Sequence, residues 1–360
     1  MIEPVAAAFE RQDYKLAAKL LKPLWQQFPE DPTVQLYVAR LQEAIGKFDQ
    51  ADRLYRQLLR DTTNPKIAMQ ARQGLQQIEA AQQERRQQAI AQATADSDDR
   101  AAGVLVIEPI AGAARAEAVR NFAKIMRLDA YTANLQLPSR HWRLYRTGAI
   151  GELRVYGEEL QRGGIASFWW AIEQIEQIRV FRVQYLQSVS PPTVVCLDEN
   201  GQLGALKFDW QEVQQRVEGR LPIFEDVVDL DLHKKLQRKE QIRDYAQFCD
   251  LHLTRRNLIL RFGDSSYQFQ QGVVFAAEDQ PAKITIRRSW NQMIGYFQSQ
   301  LPAVPLSSSF TPFAETALEH LNLLSAFPAH IDLFRKAPTE WDRAFQLYSG
   351  LAFLQKKGTV

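Results

Sequence analysis

Apolar positions in the first sixty or so residues recur every three or four places and then return as a block. The stretches AAKLLKPLWQQF (17–28) and ADRLYRQLLRD (51–61) each carry one apolar stripe at helical spacing. Tyr14, Ala17, Leu21 and Leu24 reappear as Phe48, Ala51, Tyr55 and Leu58, each 34 positions on. A small residue where helices cross and a large apolar one a turn later, at that period, predict stacked helical hairpins. The first hairpin is expected over 3–28, turning at Gln12-Asp13 and closed by Pro29; the second starts at Pro32 and turns at Gly46-Lys47. A capping helix from Ile67 to about Ala80 follows Asn64-Pro65, and the Gln-, Ala- and Arg-rich stretch after it favours helix too. Residues 94–100 have nothing to bury and read as a linker.

Beyond residue 103 short apolar runs alternate with helical stripes. Val104–Ile107 predicts a strand, and Ala118, Phe122, Ile125 and Met126 fall on one face of a following helix. Strands are expected at 131–138 and 141–146, a helix from Ile150 to Gln161 stopped by Gly163-Gly164, and a strand running into Phe168. That order gives an α+β layout. Three hairpins follow: 193–199 with 202–210 around Asn200-Gly201, 257–262 with 267–270, and 273–277 with 283–287 turning at Asp279-Gln280-Pro281. In the second, Leu258, Leu260 and Phe262 share a face that Tyr267 and Phe269 oppose. Residues 211–247 read as largely helical; Ser289 caps a helix with Trp290, Ile294, Phe297 and Leu301 on one side. After a Pro- and Ser-rich stretch at 302–312, helices at 314–326 and 341–354 close the chain. The fold class is thus α+β multidomain: helical repeats (1–82), linker (83–103), an α+β body with antiparallel hairpins (104–302, divisible at 190/191) and carboxy-terminal helices (303–360).

The repeat residues resemble the tetratricopeptide repeat (TPR) family. Its Gly-x-Tyr turn corresponds to Gln12-Asp13-Tyr14 and Gly46-Lys47-Phe48, its small crossing residue to Ala17 and Ala51, and its closing proline to Pro29. The chain departs from the family pattern at Val5, at Gln35 where a bulky Trp is usual, and at Thr63 in place of the second closing proline. The resemblance implies a partner protein segment, peptide or helix, held on the surface of the first helix of each hairpin. Carried over by position, that surface includes Ile2, Ala6, Phe9, Leu36, Arg40, Glu43, Gln70 and Gln77. Only Arg40 supplies positive charge there, so an apolar or mixed segment fits better than an acidic tail.

Composition narrows the rest. Lys and Arg total 44 against 42 acidic residues, a net charge of +2, so no whole-protein field draws the chain to nucleic acid or an anionic membrane. No apolar run approaches the roughly 20 residues of a membrane span, and the amino terminus lacks the pattern of a secretion signal, which points to the cytoplasm. Cys196 and Cys249 sit in apolar surroundings and read as buried hydrophobes. Arg140, Arg143 and Arg146 interleave with Trp142 and Tyr145, the residue types that hold single-stranded nucleic acid by phosphate contact and stacking. Arg179 and Arg182 similarly flank Phe181. Phe168-Trp169-Trp170 reads as core. On one face of a strand, Asp229, Asp231 and His233 form a weak metal candidate. No nucleophile elbow, phosphate-binding Gly loop or HExxH spacing is present. The reading is a non-enzymatic adapter, scaffold or assembly factor without a cofactor; an RNA-binding or regulatory protein is the alternative and a metal-dependent enzyme the third.

Overall fold

The computed structural model describes residues 2–230, 236–275, 285–333, 335 and 337–358, with backbone alone at 226–230, 236–238 and 240. It divides into two compact units, Met1–Gln92 and Ala93–Val360.

The first unit is built from α1 (Glu3–Glu10), α2 (Tyr14–Gln27), α3 (Pro32–Ala44), α4 (Phe48–Asp61) and α5 (Pro65–Ala93), the last continuing into the second unit's first residue. The 34-residue offset recurs in three dimensions: α2 and α4 begin at Tyr14 and Phe48, and the turns before them put Gln12 and Gly46 in the left-handed region, at φ 56° and 78°. Ala17 and Ala51 are wholly buried, as small residues at close helix crossings must be. Asp31 caps α3 by accepting from the Thr33 and Val34 amides. Gln35, where the family has a bulky residue, is buried and donates to the Pro29 carbonyl, which ties α3 to the closing turn of the first hairpin. Leu36, Ala39, Ala51, Tyr55, Leu58, Ile67, Ala71 and Ile78 form one core across α3, α4 and α5. Arg85, in the extension of α5, lies over the Phe48 ring at 4.6 Å, so the long helix serves the second hairpin beyond its first four turns.

The second unit holds two sheets. Ahead of the first, residues 94–100, read as linker, form a closed turn in which Arg100 donates to the Thr94 and Ala95 carbonyls and Asp99 pairs with Arg154. The three-stranded sheet has β1 (Ala102–Ile107) between β2 (Arg143–Ala149) and β3 (Ser167–Ala171), all antiparallel. Leu105 and Ile107 pack with α6 (Arg115–Met126), α7 (Ala130–Gln136) and α8 (Ile150–Arg162), while Val104 and Val106 enter a different core on the other face. Burial on both faces explains the unbroken Val-Leu-Val-Ile run. The strand expected at 131–138 is instead α7: the Asp129 carboxylate accepts from the Thr132 amide and caps a short helix.

Next come α9 (Ile172–Glu176), then β4 (Arg179–Val189), β5 (Pro192–Leu197), β6 (Leu203–Lys207), β7 (Gln215–Leu230), β8 (Leu236–Leu253), β9 (Leu258–Gly263), α10 (Ile286–Gln300) and β10 (Leu306–Ser307). The strands form one seven-stranded sheet in the order β10-β7-β8-β9-β4-β5-β6, with β10–β7 and β9–β4 parallel. The Asn200-Gly201 hairpin is present as β5–β6. Only Gly201 has positive φ, and the Asp198 amide donates to the Gln202 carbonyl, so this is a three-residue loop with glycine at the left-handed position, not a two-residue type I′ turn.

Three expectations are corrected. Residues 211–247 are not a helical tract: after a short 3-10 turn at Trp210–Glu212 they form most of the β7–β8 hairpin. Of the second predicted hairpin only β9 is a strand, pairing with β8 and β4, while Tyr267 reaches the same core through a turn and stacks on Phe262. In the third, Ile286 and Arg287 already belong to α10, capped by Thr285, four residues ahead of Ser289. Its turn at 279–281 lies outside the described residues.

α11 (Phe310–Ala317), α12 (Leu321–Leu324) and α13 (Glu340–Lys357) follow. Residues 303–360, read as a segment of their own, supply the centre of the body. In α13, Asp342 and every residue from Ala344 to Leu354 are buried, among Val104, Val106 and Leu144 of the small sheet and Val217, Leu221, Phe248 and Ile259 of the large one. The opposite face of the large sheet carries Leu251, Leu258, Leu260 and Phe262 against Trp290, Met293 and Phe297 of α10.

Two substitutions test this packing with opposite signs. Gln12 holds a conformation that disfavours a side chain, so Gln12→Gly should raise unfolding free energy by up to about 1 kcal/mol. Gly74→Ala should normally stabilise a helix, but a Cβ there would lie 2.3 Å from the ring of Tyr55, fixed by its hydrogen bond to Glu43. A loss of about 1–3 kcal/mol is expected from overpacking. Urea denaturation of both variants reads the two signs.

Candidate functional site

The face presented by the first helices of the repeats is the strongest candidate site. Phe9 of α1 and Tyr37 of α3 touch, with ring centroids 5.4 Å apart, and Tyr14 meets Phe9 edge-on at 5.9 Å. The exposed Arg40 guanidinium lies 5.1 Å from the Phe9 centroid and 5.5 Å from that of Tyr37. No carboxylate pairs with it among the described residues. A cation over two aromatic faces keeps its N–H edge open to a partner while its plane is held.

Two of the positions carried over by resemblance, Phe9 and Arg40, are therefore in contact. Leu36 is not part of an accessible surface: it is 2% exposed and belongs to the core. Its neighbour Tyr37 takes the surface position, one residue further round the helix. Glu43 is half-buried and accepts a 2.5 Å hydrogen bond from the Tyr55 hydroxyl, whose pKa is raised by burial and by that bond. Ile2, which precedes α1, and Ala6 within it are half-buried; Gln70 and Gln77 lie on α5, half-buried and exposed, beside its buried face of Ala71, Gly74 and Ile78. Tyr14 and Tyr37 were missed as candidate site residues; for Tyr37 a ring one position beyond the core residue Leu36 was the available signal.

In the second unit the arginine and aromatic side chains are engaged internally. Tyr145 packs edge-on against Phe122 at 5.2 Å in the core under α6. Arg146 pairs with Glu152 at 2.8 Å and lies over Tyr156 at 4.4 Å. Arg182 pairs with Asp332, and Arg179 lies over Phe181 while donating to the Arg256 carbonyl. Arg140 is exposed and Arg143 half-buried. Phe168 and Trp169 are packed: Phe168 meets Trp142 at 5.0 Å, and Trp169 covers Gly157.

Of the metal candidates, Asp231 and His233 lie outside the described residues, and Asp229 has its backbone paired with Gln237. Among the described residues no three His, Cys, Asp or Glu side chains come together as ligands. Both cysteines are buried and free; burial pushes the Cys196 thiol up to about 11.

A polar group that sequence reading missed lies under α13. Asp250 and Arg261 are direct cross-strand neighbours on β8 and β9, bonded through Nε at 2.9 Å and Nη2 at 2.7 Å. Ser349 of α13 donates to the same carboxylate at 2.6 Å, and His252 Nε2 stands 3.0 Å from Ser349 Oγ. The serine proton is committed to Asp250, so His252 donates through Nε2 and leaves Nδ1 as an acceptor, which is buried without a partner. Serine, histidine and aspartate occur here without the arrangement of a nucleophilic triad: serine is in the middle, and all three are wholly buried. Polar residues at alternate positions of FCDLHL were the sequence signal. Arg261 also donates to the Ala329 carbonyl and lies over Phe345 at 4.9 Å.

The sequence model of the tetratricopeptide repeat family matches residues 8–72 of this chain. The match runs from the end of α1 into the first turns of α5 and includes the Phe9, Tyr14, Tyr37 and Arg40 cluster. No curated protein and no solved structure matches the chain. The amino-terminal region is thus TPR-like, and among the described residues no helix is long and apolar enough to cross a membrane.

Burial holds the His252 imidazole down to about 4, with Asp250 raising it and Arg261 lowering it further. Burial likewise lowers His330 to about 4, aided by Arg261 and Arg182 and opposed by Asp250. Both bind fewer protons folded than unfolded, so their stabilising contribution is complete above the ordinary pKa of 6.5 and is lost as pH falls toward 4. Glu218 and Asp264, raised by burial, act in the opposite sense. For His252 the loss is on the order of 3 kcal/mol at its limit. Thermal melts at pH 7, 6 and 5 should show a falling midpoint, and His252→Gln should flatten that dependence.

Proposed function

We propose that this protein is a non-enzymatic adapter, a scaffold or assembly factor acting in the cytoplasm, whose TPR-like repeats hold a segment of a partner protein. The aromatic and arginine cluster on α1 and α3, within the matched repeats, carries this reading. Phe9, Tyr14 and Tyr37 offer apolar area at low entropic cost, and Arg40 adds one cation, so the favoured guest has an apolar residue beside a carboxylate or carbonyl. Glu43, Gln70 and Gln77 complete the proposed contact surface. The RNA-binding alternative has weaker support, since Tyr145 and Arg146 already have intramolecular partners.

The test uses Phe9→Ala with Arg40→Glu, two accessible or half-exposed positions, rather than the core residue Leu36. Affinity purification from the source cells should recover a defined partner with the intact chain, and the double variant should lose it while keeping its melting midpoint within a few degrees. Undiminished recovery would rule out this face. Association that instead survives in the variant and falls steeply with salt would favour nucleic acid.

A further inference from the structure

One cleft in the body belongs to neither the repeats nor the buried polar group. It has a volume of about 700 Å³ and lies where the β4–β5 turn, the chain after β6 and the last turn of α10 meet. Trp210 and Tyr296 line it with ring centroids 6.0 Å apart and planes at 70°, and Phe275 meets Tyr296 from a further segment at 5.1 Å. Trp210 is held by Phe208 at 5.2 Å and Phe297 at 5.7 Å. Its indole N–H points to the Val189 carbonyl at 3.4 Å, a long hydrogen bond.

We propose that this cleft is a second binding site and takes a proline-rich segment of a partner protein in the extended polyproline II conformation. Two aromatic rings packed edge to face give the cleft a stepped apolar wall, the kind of relief onto which pyrrolidine rings pack. A proline-rich chain has carbonyl acceptors and few N–H groups, so its site must supply donors. The Tyr296 hydroxyl has no hydrogen-bond partner among the described residues, and the exposed Gln300 amide stands one turn further along the same helix. Charge selects in the same direction. Glu212 and Arg256 neutralise each other at 2.5 Å and 2.6 Å, leaving Lys207 and Asp209 as a rim of opposite signs that favours a segment without net charge. The site is independent of the helical repeats and would give an adapter two points of attachment, with the gain in avidity that linkage brings.

Fluorescence anisotropy of labelled decaproline titrated with the full chain tests the proposal. Saturable binding is expected, with a Gly-Ser peptide of equal length failing to bind. Tyr296→Ala should weaken binding at least about tenfold, and Phe9→Ala should leave it unchanged. Gln300→Ala, at an exposed position, gives a second reading should Tyr296→Ala fail to fold; it should weaken binding measurably. No saturable binding at millimolar peptide, equal binding of the Gly-Ser peptide, insensitivity to the α10 variants, or loss through Phe9→Ala would each overturn the assignment. Only the last would move the bound segment to the repeats, and none bears on whether the repeats hold a partner of their own.

Discussion

Asp250 is a carboxylate wholly removed from water, and the body's architecture follows from the need to satisfy it. Its neighbour across the β8–β9 ladder provides the charge, α13 provides a hydroxyl, and the same arginine reaches the segment at Ala329. Removing one partner would strand the others in a low-dielectric interior, at a cost of about 3–5 kcal/mol. The group therefore fixes where α13 sits along the large sheet, which apolar packing alone would define less sharply. The small sheet gains from this, because Val104, Val106 and Leu144 pack in the cluster that surrounds α13.

The helical repeats solve a different problem. A short stack of hairpins buries its core through close helix approach, which is why Ala17, Ala39, Ala51, Ala71 and Gly74 occupy the tightest places. Large side chains one position round the helix are then left at the surface, and Phe9, Tyr37 and Arg40 gather there. If this face holds a partner as proposed, its helical build keeps it rigid beforehand, so less conformational entropy is lost on binding.

Legibility in the sequence tracked how local the determining interaction was. The repeats were readable because their period is written twice. The β5–β6 hairpin was readable because glycine at a left-handed position is a local requirement, although the turn type was set by the Asp198 carboxylate accepting from the Asn200 and Gln202 amides. The β7–β8 hairpin was hidden. Gln, Glu, Lys and Arg dominate 236–247 and favour helix in isolation, and only pairing along the whole of β7 makes them strand. Pro222 is tolerated there because β10 pairs only with Arg216 and Val217, leaving that part of β7 without a second partner strand among the described residues. At Tyr131–Leu137 the reverse held: a run that suits a strand became α7 once Asp129 capped it. The site residues followed the same rule, since a helical face can be read from sequence only to within about one residue, enough to exchange Leu36 for Tyr37.

The sequence by itself determined the two kinds of architecture, the repeat spacing, the absence of a net charge field and the burial of both cysteines. Each is a property of composition or of residues a few places apart. Tertiary structure alone decided that α13 would lie at the heart of the body, that Asp250, Arg261, His252 and Ser349 would meet, and that Trp210 and Tyr296 would flank one cleft. Those residues are brought together from distant parts of the chain by sheet register and helix packing, and no local preference encodes a meeting of that kind.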